Sequence, residues 1–171
     1  MRYQHIEVPF GKLLLAGEDA LEIVGFPSGK MAVGVGENWS HDNYAFIDAV
    51  DQLHAYFGGE LKQFDVVMKP SGTEFQKDVL EALMSIPHGE TRSYKDIAVM
   101  VGRPKSVRAV GAANGRNPLP IIIPCHRVIG SNGSLTGFGG GVDLKQYLLK
   151  LEAGKKAIDL EQVGFDFQCP R

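Results

Sequence analysis

The chain predicts two units: an α/β unit over residues 1–70, with a small antiparallel sheet and one helix, and a mainly α unit over residues 71–171. Three features predict this. Short apolar runs separated by turn residues crowd the first part of the chain, and helix-start signals with apolar faces recur from Thr73 onward. Between them, Lys69-Pro70-Ser71-Gly72 reads as a linker.

In the first unit, Lys12–Ala16 and Ala20–Phe26 flank Gly17-Glu18-Asp19, which suits a hairpin. A helix is expected over Asp42–Phe57, with Ala45, Phe46, Ala49, Leu53 and Phe57 on one face and Gly58-Gly59 at its end. Lys62–Met68 reads as a further strand. In the second unit, Thr73 and Gln76 have capping-box spacing ahead of a face made by Phe75, Val79, Leu80, Leu83 and Ile86, and Pro87 and Gly89 stop that helix. Ser93-Tyr94-Lys95-Asp96 opens a short helix to about Met100. Gly102-Arg103-Pro104-Lys105 is a tight turn, and Ser106 begins a third helix to about Asn114. Two short helices about a glycine-containing turn form a helix-turn-helix pattern, which many small helical proteins share. The prolines between Asn117 and Ile129 exclude a helix and predict an extended, buried segment. The loop Gly130–Gly141 is glycine-rich but lacks the Gly-Lys-Ser/Thr end of a phosphate loop. Asp143 is expected to cap the last helix, which runs through Leu144, Tyr147, Leu148 and Leu151 to Gly154, and residues 155–171 read as a loose tail.

A net charge of -2 hides an asymmetry. Residues 1–100 carry 8 basic and 15 acidic side chains, a balance of -7. No Asp or Glu lies between Asp96 and Asp143, a stretch that holds Arg103, Lys105, Arg108, Arg116 and Arg127. The gap is either chance or a basic surface for a polyanion, with nucleic acid the usual candidate. The first residues lack a signal peptide's basic-then-apolar pattern, and no run nears the ~20 apolar residues of a membrane span, so a cytoplasmic protein is expected. Cys125 and Cys169 lie far apart. Neither a structural disulfide nor a typical structural zinc site is expected, which leaves room for a reactive thiol.

Two segments bear on chemistry. The third helix reads Arg108-Ala109-Val110-Gly111-Ala112-Ala113-Asn114, and Gly111 costs it roughly 1 kcal/mol against Ala. Either its small residues serve close helix packing, or Ala109, Gly111, Ala112 and Ala113 make a slim helix that enters a groove. Few of its groups could read base edges in a major groove, so sequence-independent minor-groove docking is the functional reading, with Arg108 as the long cation at its start. The second segment is Pro124-Cys125-His126-Arg127. A thiol reacts as its thiolate, and neighbouring His and Arg can lower its pKa or accept its proton. Adjacent residues of an extended strand point to opposite faces, so a water is expected to bridge Cys125 and His126. Glu152 is the acid expected to orient the imidazole.

Arg108–Ala113, Asn117-Pro118, Ile123–Ile129, Gly133–Gly141 and Leu148–Glu152, in that order and spacing, resemble the O6-alkylguanine-DNA alkyltransferase family. The likeness runs from about Phe75 to Glu152; before that it rests mainly on Ala55-Tyr56-Phe57-Gly58-Gly59. It implies a ribonuclease-H-like first domain and DNA repair by direct reversal. One alkyl group would pass irreversibly from O6-alkylguanine, and from O4-alkylthymine, to Cys125 after base flipping. It further implies that His126 activates Cys125 through a water, that Glu152 holds His126, and that Asn117 braces the turn. Tyr94 would turn the phosphate of the damaged base and support protonation of the leaving guanine. Arg108 would fill the gap in the duplex, while Ser93, Lys95, Ala109, Gly111, Ala112, Ala113, Gly115 and Arg116 would meet DNA. Pro120, Val128, Phe138 and Gly139 would wall the pocket, with Phe138 where tyrosine often occurs. No cofactor is implied. Some relatives hold zinc in the N-terminal part, but no cysteine precedes Cys125, so no metal is expected. The expected partner is duplex DNA, bound by a monomer or cooperatively. Two rival classes are a non-reactive module that flips alkylated bases, which replaces the cysteine, and a cysteine hydrolase. The latter needs a separate histidine and an oxyanion site, neither of which is identifiable.

Overall fold

The computed structural model describes residues 1–154; the predicted tail and Cys169 lie outside the described residues. The sheet grows from a hairpin. In β1 (Arg2–Val8) Gln4 and Ile6 turn inward at every second position, whereas β2 (Gly11–Gly17) is buried continuously from Leu13. Both strands are interior in the order β3-β2-β1-β4, but β2 sets Leu13, Leu14, Leu15 and Ala16 into the core, so its side chains are covered on both faces. β3 (Leu21–Gly25) pairs antiparallel with β2, as expected from the Gly17-Glu18-Asp19 turn. β1, which the apolar pattern did not reveal, pairs antiparallel with β2. β4 (Ser40–His41) runs parallel to β1, so the sheet is mixed rather than purely antiparallel.

Two expectations in this unit need correction. The first helix, α1 (Ile47–Phe57), starts five residues after Asp42. Phe46 sits at φ 57, in the left-handed region, and the Tyr44 N–H donates to Asp42 Oδ1 at 2.9 Å, so local side-chain bonding competes with the helix there. Lys62–Met68 is not a strand. Phe64, Val66 and Met68 do turn inward alternately, but only Met68 bridges to Leu21. Alternation reports an extended backbone, and a strand also needs a neighbour to ladder with.

The second unit is helical as expected. α2 (Glu74–Met84) starts at a capping box in which the Gln76 N–H donates to Thr73 Oγ1 at 3.2 Å and the Thr73 N–H donates to Gln76 Oε1 at 2.9 Å. α3 (Tyr94–Met100) has the same device in Ser93 and Asp96, and α4 (Val107–Gly115) packs against both helices. Two-residue strands β5 (Arg92–Ser93) and β6 (Val128–Ile129) pair in parallel and fix the start of α3 beside the segment that follows Cys125. α5 (Val142–Glu152) is capped by Gly141, not Asp143. Gly141 takes φ 97, which favours glycine, and Asp143 falls in the first turn, where the helix dipole suits an acid.

One continuous core joins the units. Val24 N–H donates to Pro118 O at 2.8 Å and Lys30 N–H to Gly139 O at 2.9 Å. Among the described residues no helix is long and apolar enough to cross a membrane.

Candidate active site

The segment around Cys125 is buried from Leu119 to Val128, but it is not extended throughout. Ile121 takes φ 76, a strained conformation for a β-branched residue that costs on the order of 1–3 kcal/mol. Cys125–Arg127 then forms one turn of 3-10 helix, closed by Arg127 N–H donating to Pro124 O at 3.0 Å. Proline forbids helix before itself but tolerates it directly after, which is why the sequence expectation failed here. Successive side chains of such a turn diverge by about 120° rather than alternating. His126 and Arg127 can therefore reach the same acid, as two neighbours in a strand could not. Asn117 clamps the segment: its Nδ2 donates to Ile123 O at 2.8 Å and its Oδ1 accepts from Leu119 N–H at 3.0 Å.

That acid is Glu152, the last residue of α5. Its Oε1 lies 2.6 Å from His126 Nε2 and accepts from Arg127 Nη2 at 2.9 Å, while Oε2 accepts from Arg127 Nε at 2.8 Å. The Tyr56 hydroxyl donates to Oε1 at 2.7 Å. Burial alone would raise the Glu152 pKa. The hydrogen bond from His126 and the bonds and charge of Arg127 outweigh it and hold the carboxyl well below the usual range. Burial lowers the pKa of His126, so its imidazole is neutral, although Glu152 pulls the other way. The short contact to Glu152 assigns the proton to Nε2. His126 Nδ1 is then a buried lone pair with no hydrogen-bond partner among the described residues.

Cys125 is fully buried, and burial pushes its thiol up to about 11. The Asn117 side chain, the Lys145 charge and nearby backbone amides work against that rise. Lys145 was not foreseen. It is fully buried on α5, donates to Thr136 O at 3.1 Å, lies 5.7 Å from the centre of the Tyr94 ring, and burial brings its pKa down to about 8. The Tyr94 hydroxyl donates to the same Thr136 O at 2.9 Å. A Cβ on Gly137 would come within 3.1 Å of that hydroxyl, and the residue takes φ 76, so a glycine suits the close passage of the loop over Tyr94. Sequence reasoning named Tyr56 only within the Ala55–Gly59 run and gave it no part in the site. A helical stripe carried both signals: Lys145 and Leu148 share the face of Glu152, and Tyr56 shares the face of Ala49 and Leu53.

The other expected positions separate. Arg103, Lys105, Arg108 and Arg116 are exposed, as are Lys95, Ala109, Ala112 and Gly115, while Ser93 and Gly111 are half-buried. Two expectations fail. Arg127 is buried against Glu152 and Ile86 O and adds nothing to a basic surface. Ala113 is 3% exposed, on the face of α4 that joins the core, which assigns it to packing and leaves it little surface for DNA. Phe138 and Gly139 border a groove of about 490 Å³ with Gly29, Lys30, Gly115 and Val142. Pro120 and Val128 are buried and do not line that groove. A second cleft of about 460 Å³ lies against Phe64, Met84, His88, Pro124 and Arg127.

Comparison with known proteins adds an independent line. The family model for the ribonuclease-like domain of 6-O-methylguanine DNA methyltransferase matches residues 1–70, and that for its DNA binding domain matches residues 74–154. A methylated-DNA–protein-cysteine methyltransferase of Methanosarcina acetivorans is 55% identical over 153 residues, 89% of this chain and 98% of that protein. One from Mycobacterium tuberculosis is 48% identical over 167 residues, 94% of this chain and 97% of that protein. The crystal structure of Mycobacterium tuberculosis OGT in complex with DNA is similar at TM-score 0.88 and 46% identity, covering 96% of this chain and 100% of that one.

Proposed function

The chain belongs to the 6-O-methylguanine DNA methyltransferase family, and from that premise we propose that Cys125 takes the alkyl group of O6-alkylguanine in DNA, once and irreversibly. The activity is that of a methylated-DNA–protein-cysteine methyltransferase, and the role is DNA repair at O6-methylguanine. One observation carries the residue assignment: His126 spends Nε2 on Glu152 and keeps a buried Nδ1, without a partner among the described residues, next to a buried thiol.

Duplex DNA docks on α3 and α4, with α4 in the minor groove. The lesion rotates out of the stack at a cost of a few kcal/mol, part of which Arg108 offsets by occupying the gap. The base enters by the groove beside Phe138 and Gly139. The thiol proton of Cys125 passes through a water to His126 Nδ1. Sulfur then attacks the alkyl carbon; the S–C bond forms, the C–O6 bond breaks, and its electron pair leaves with guanine. Guanine takes up a proton, a step Tyr94 supports, so the proton lost by the thiol is balanced by the one the base gains. The thioether resists water, and the protein is consumed. The same displacement applies to O4-alkylthymine, and the protein acts as a monomer or assembles cooperatively on DNA.

Mass spectrometry tests this. Intact protein incubated with O6-methylguanine duplex is expected to gain one methyl on the peptide that holds Cys125, and to keep it. No gain would leave a DNA-binding module; repeated turnover would point to a hydrolase.

A further inference from the structure

Glu152 is reached from α5, from the Cys125–Arg127 turn, and from α1 of the first unit. We propose that Tyr56 is a positioning residue for alkyl transfer: its hydroxyl, donated to the Glu152 oxygen that holds His126, weakens that oxygen as an acceptor and so keeps the imidazole neutral, with Nδ1 free to take a proton. The inference rests on the roles given above to Cys125, His126 and Glu152.

Oε1 accepts three donors, from His126 Nε2 at 2.6 Å, Tyr56 OH at 2.7 Å and Arg127 Nη2 at 2.9 Å. Each added donor draws electron density from the oxygen and reduces its hold on the His126 proton. Arg127 divides its donors between both oxygens, whereas Tyr56 acts on Oε1 alone and lies 3.5 Å from His126 Nε2 itself. The phenol is held in place by ring contacts to Phe57 and Phe64, each 5.3 Å between centroids, and to His88 at 6.3 Å. Burial first, then the Glu152 charge, keeps it protonated and therefore a donor throughout the working pH range. The remaining charged or titratable groups around the pair are Arg127 and Cys125 on the turn, Lys145 and Tyr147 on α5, and His88 between α2 and β5, with Lys62 acting on His88. Tyr56→Phe substitutes none of them.

The sign follows. Without the hydroxyl, Oε1 carries more charge and favours the imidazolium, so His126 binds its proton at higher pH. A protonated His126 cannot accept from Cys125. The acid limb of the transfer rate therefore moves to higher pH, while the rate on the alkaline plateau is retained.

The test is single-turnover methyl transfer from O6-methylguanine duplex to the full chain, read as mass gain on the Cys125 peptide from mildly acid to mildly alkaline pH. Tyr56→Phe is expected to run up to about tenfold slower on the acid limb, the equivalent of about one pKa unit, and to match the wild type on the plateau. A ring-fluorinated tyrosine at position 56, a stronger donor of the same shape, is expected to move the limb the opposite way. It decides the matter alone if Tyr56→Phe does not fold. A limb that stays put, or a rate lowered equally at every pH, overturns the proposal in favour of a purely structural tyrosine. If the wild type gains no mass at Cys125, the reading of the site fails first and this inference falls with it.

Discussion

Helices α3 and α4 are shaped by neighbours in sequence, whereas the Cys125–Arg127 turn is held by groups as distant as Tyr56, Ile86 and Glu152. Within the first region α3 caps itself: Ser93 and Asp96 exchange hydrogen bonds within one turn of chain. It presents small and cationic side chains to solvent, including Ala109, Ala112 and Arg108. The second exposes nothing; Cys125 and His126 are fully buried and Arg127 nearly so. One region suits docking on a polyanion and the other suits a reaction held away from bulk solvent, so binding and chemistry are expected to be separable.

The largest test of that separation is Cys125→Ser. Methyl uptake is expected to vanish while affinity for duplex DNA, measured by fluorescence anisotropy, stays near wild type. Loss of both would show that the turn also shapes the docking face.

Next in size is Glu152→Gln, which leaves the Arg127 guanidinium buried without its counter-charge. Breaking a buried pair from one side costs about 3–5 kcal/mol, readable by urea unfolding. pH sharpens the result. The folded carboxyl lies below its unfolded value of about 4.3. Its contribution is therefore present above that value and is lost as pH falls from there through the folded value. Wild type should lose stability over that acid window, and Glu152→Gln should lose less. An equal acid slope in both proteins would remove Glu152 from the account.

The contrast also explains what the sequence disclosed. The α3–α4 pair was legible because capping boxes and turn glycines are written within a few residues, as at Ser93/Asp96 and Gly102. Cys125, His126 and Glu152 were legible through their family pattern. The shape of their surroundings was not, because it depends on partners brought together by folding. Tyr56 reads as one more core aromatic, and Lys145 as a solvated cation, until α5 is known to turn Glu152 inward. Arg127 looks like surface charge for the same reason. β4 and the Lys62–Met68 segment show this limit in the sheet, where pairing is set by which chain lies alongside and not by local composition.

Arg108→Ala tests the docking region with a smaller effect. The exposed guanidinium has no acid to compensate within α4. If it fills the gap left by the everted base, repair of duplex is expected to fall by about tenfold, a fraction of the few kcal/mol that flipping requires. Reaction with free alkylguanine should barely change. Equal losses on the two substrates would move Arg108 from the duplex to the pocket.

Gly111→Ala is the smallest change and the most informative about why α4 is slim. Sequence left two reasons for a glycine there, close helix packing and close approach to DNA. An added Cβ would meet only the Tyr94 ring, at 3.9 and 4.0 Å, which is ordinary contact. Packing within the protein therefore does not require the glycine. Alanine should raise thermal stability by up to about 1 kcal/mol, because it suits a helix interior better. If α4 lies against the groove, the same methyl should weaken duplex binding a few-fold, so stability and affinity would move in opposite directions. A protein that is stabilised and binds as before would show that Gly111 does not serve DNA contact. A destabilised one would return the glycine to the core, and with it the reading of α4 as a packing helix.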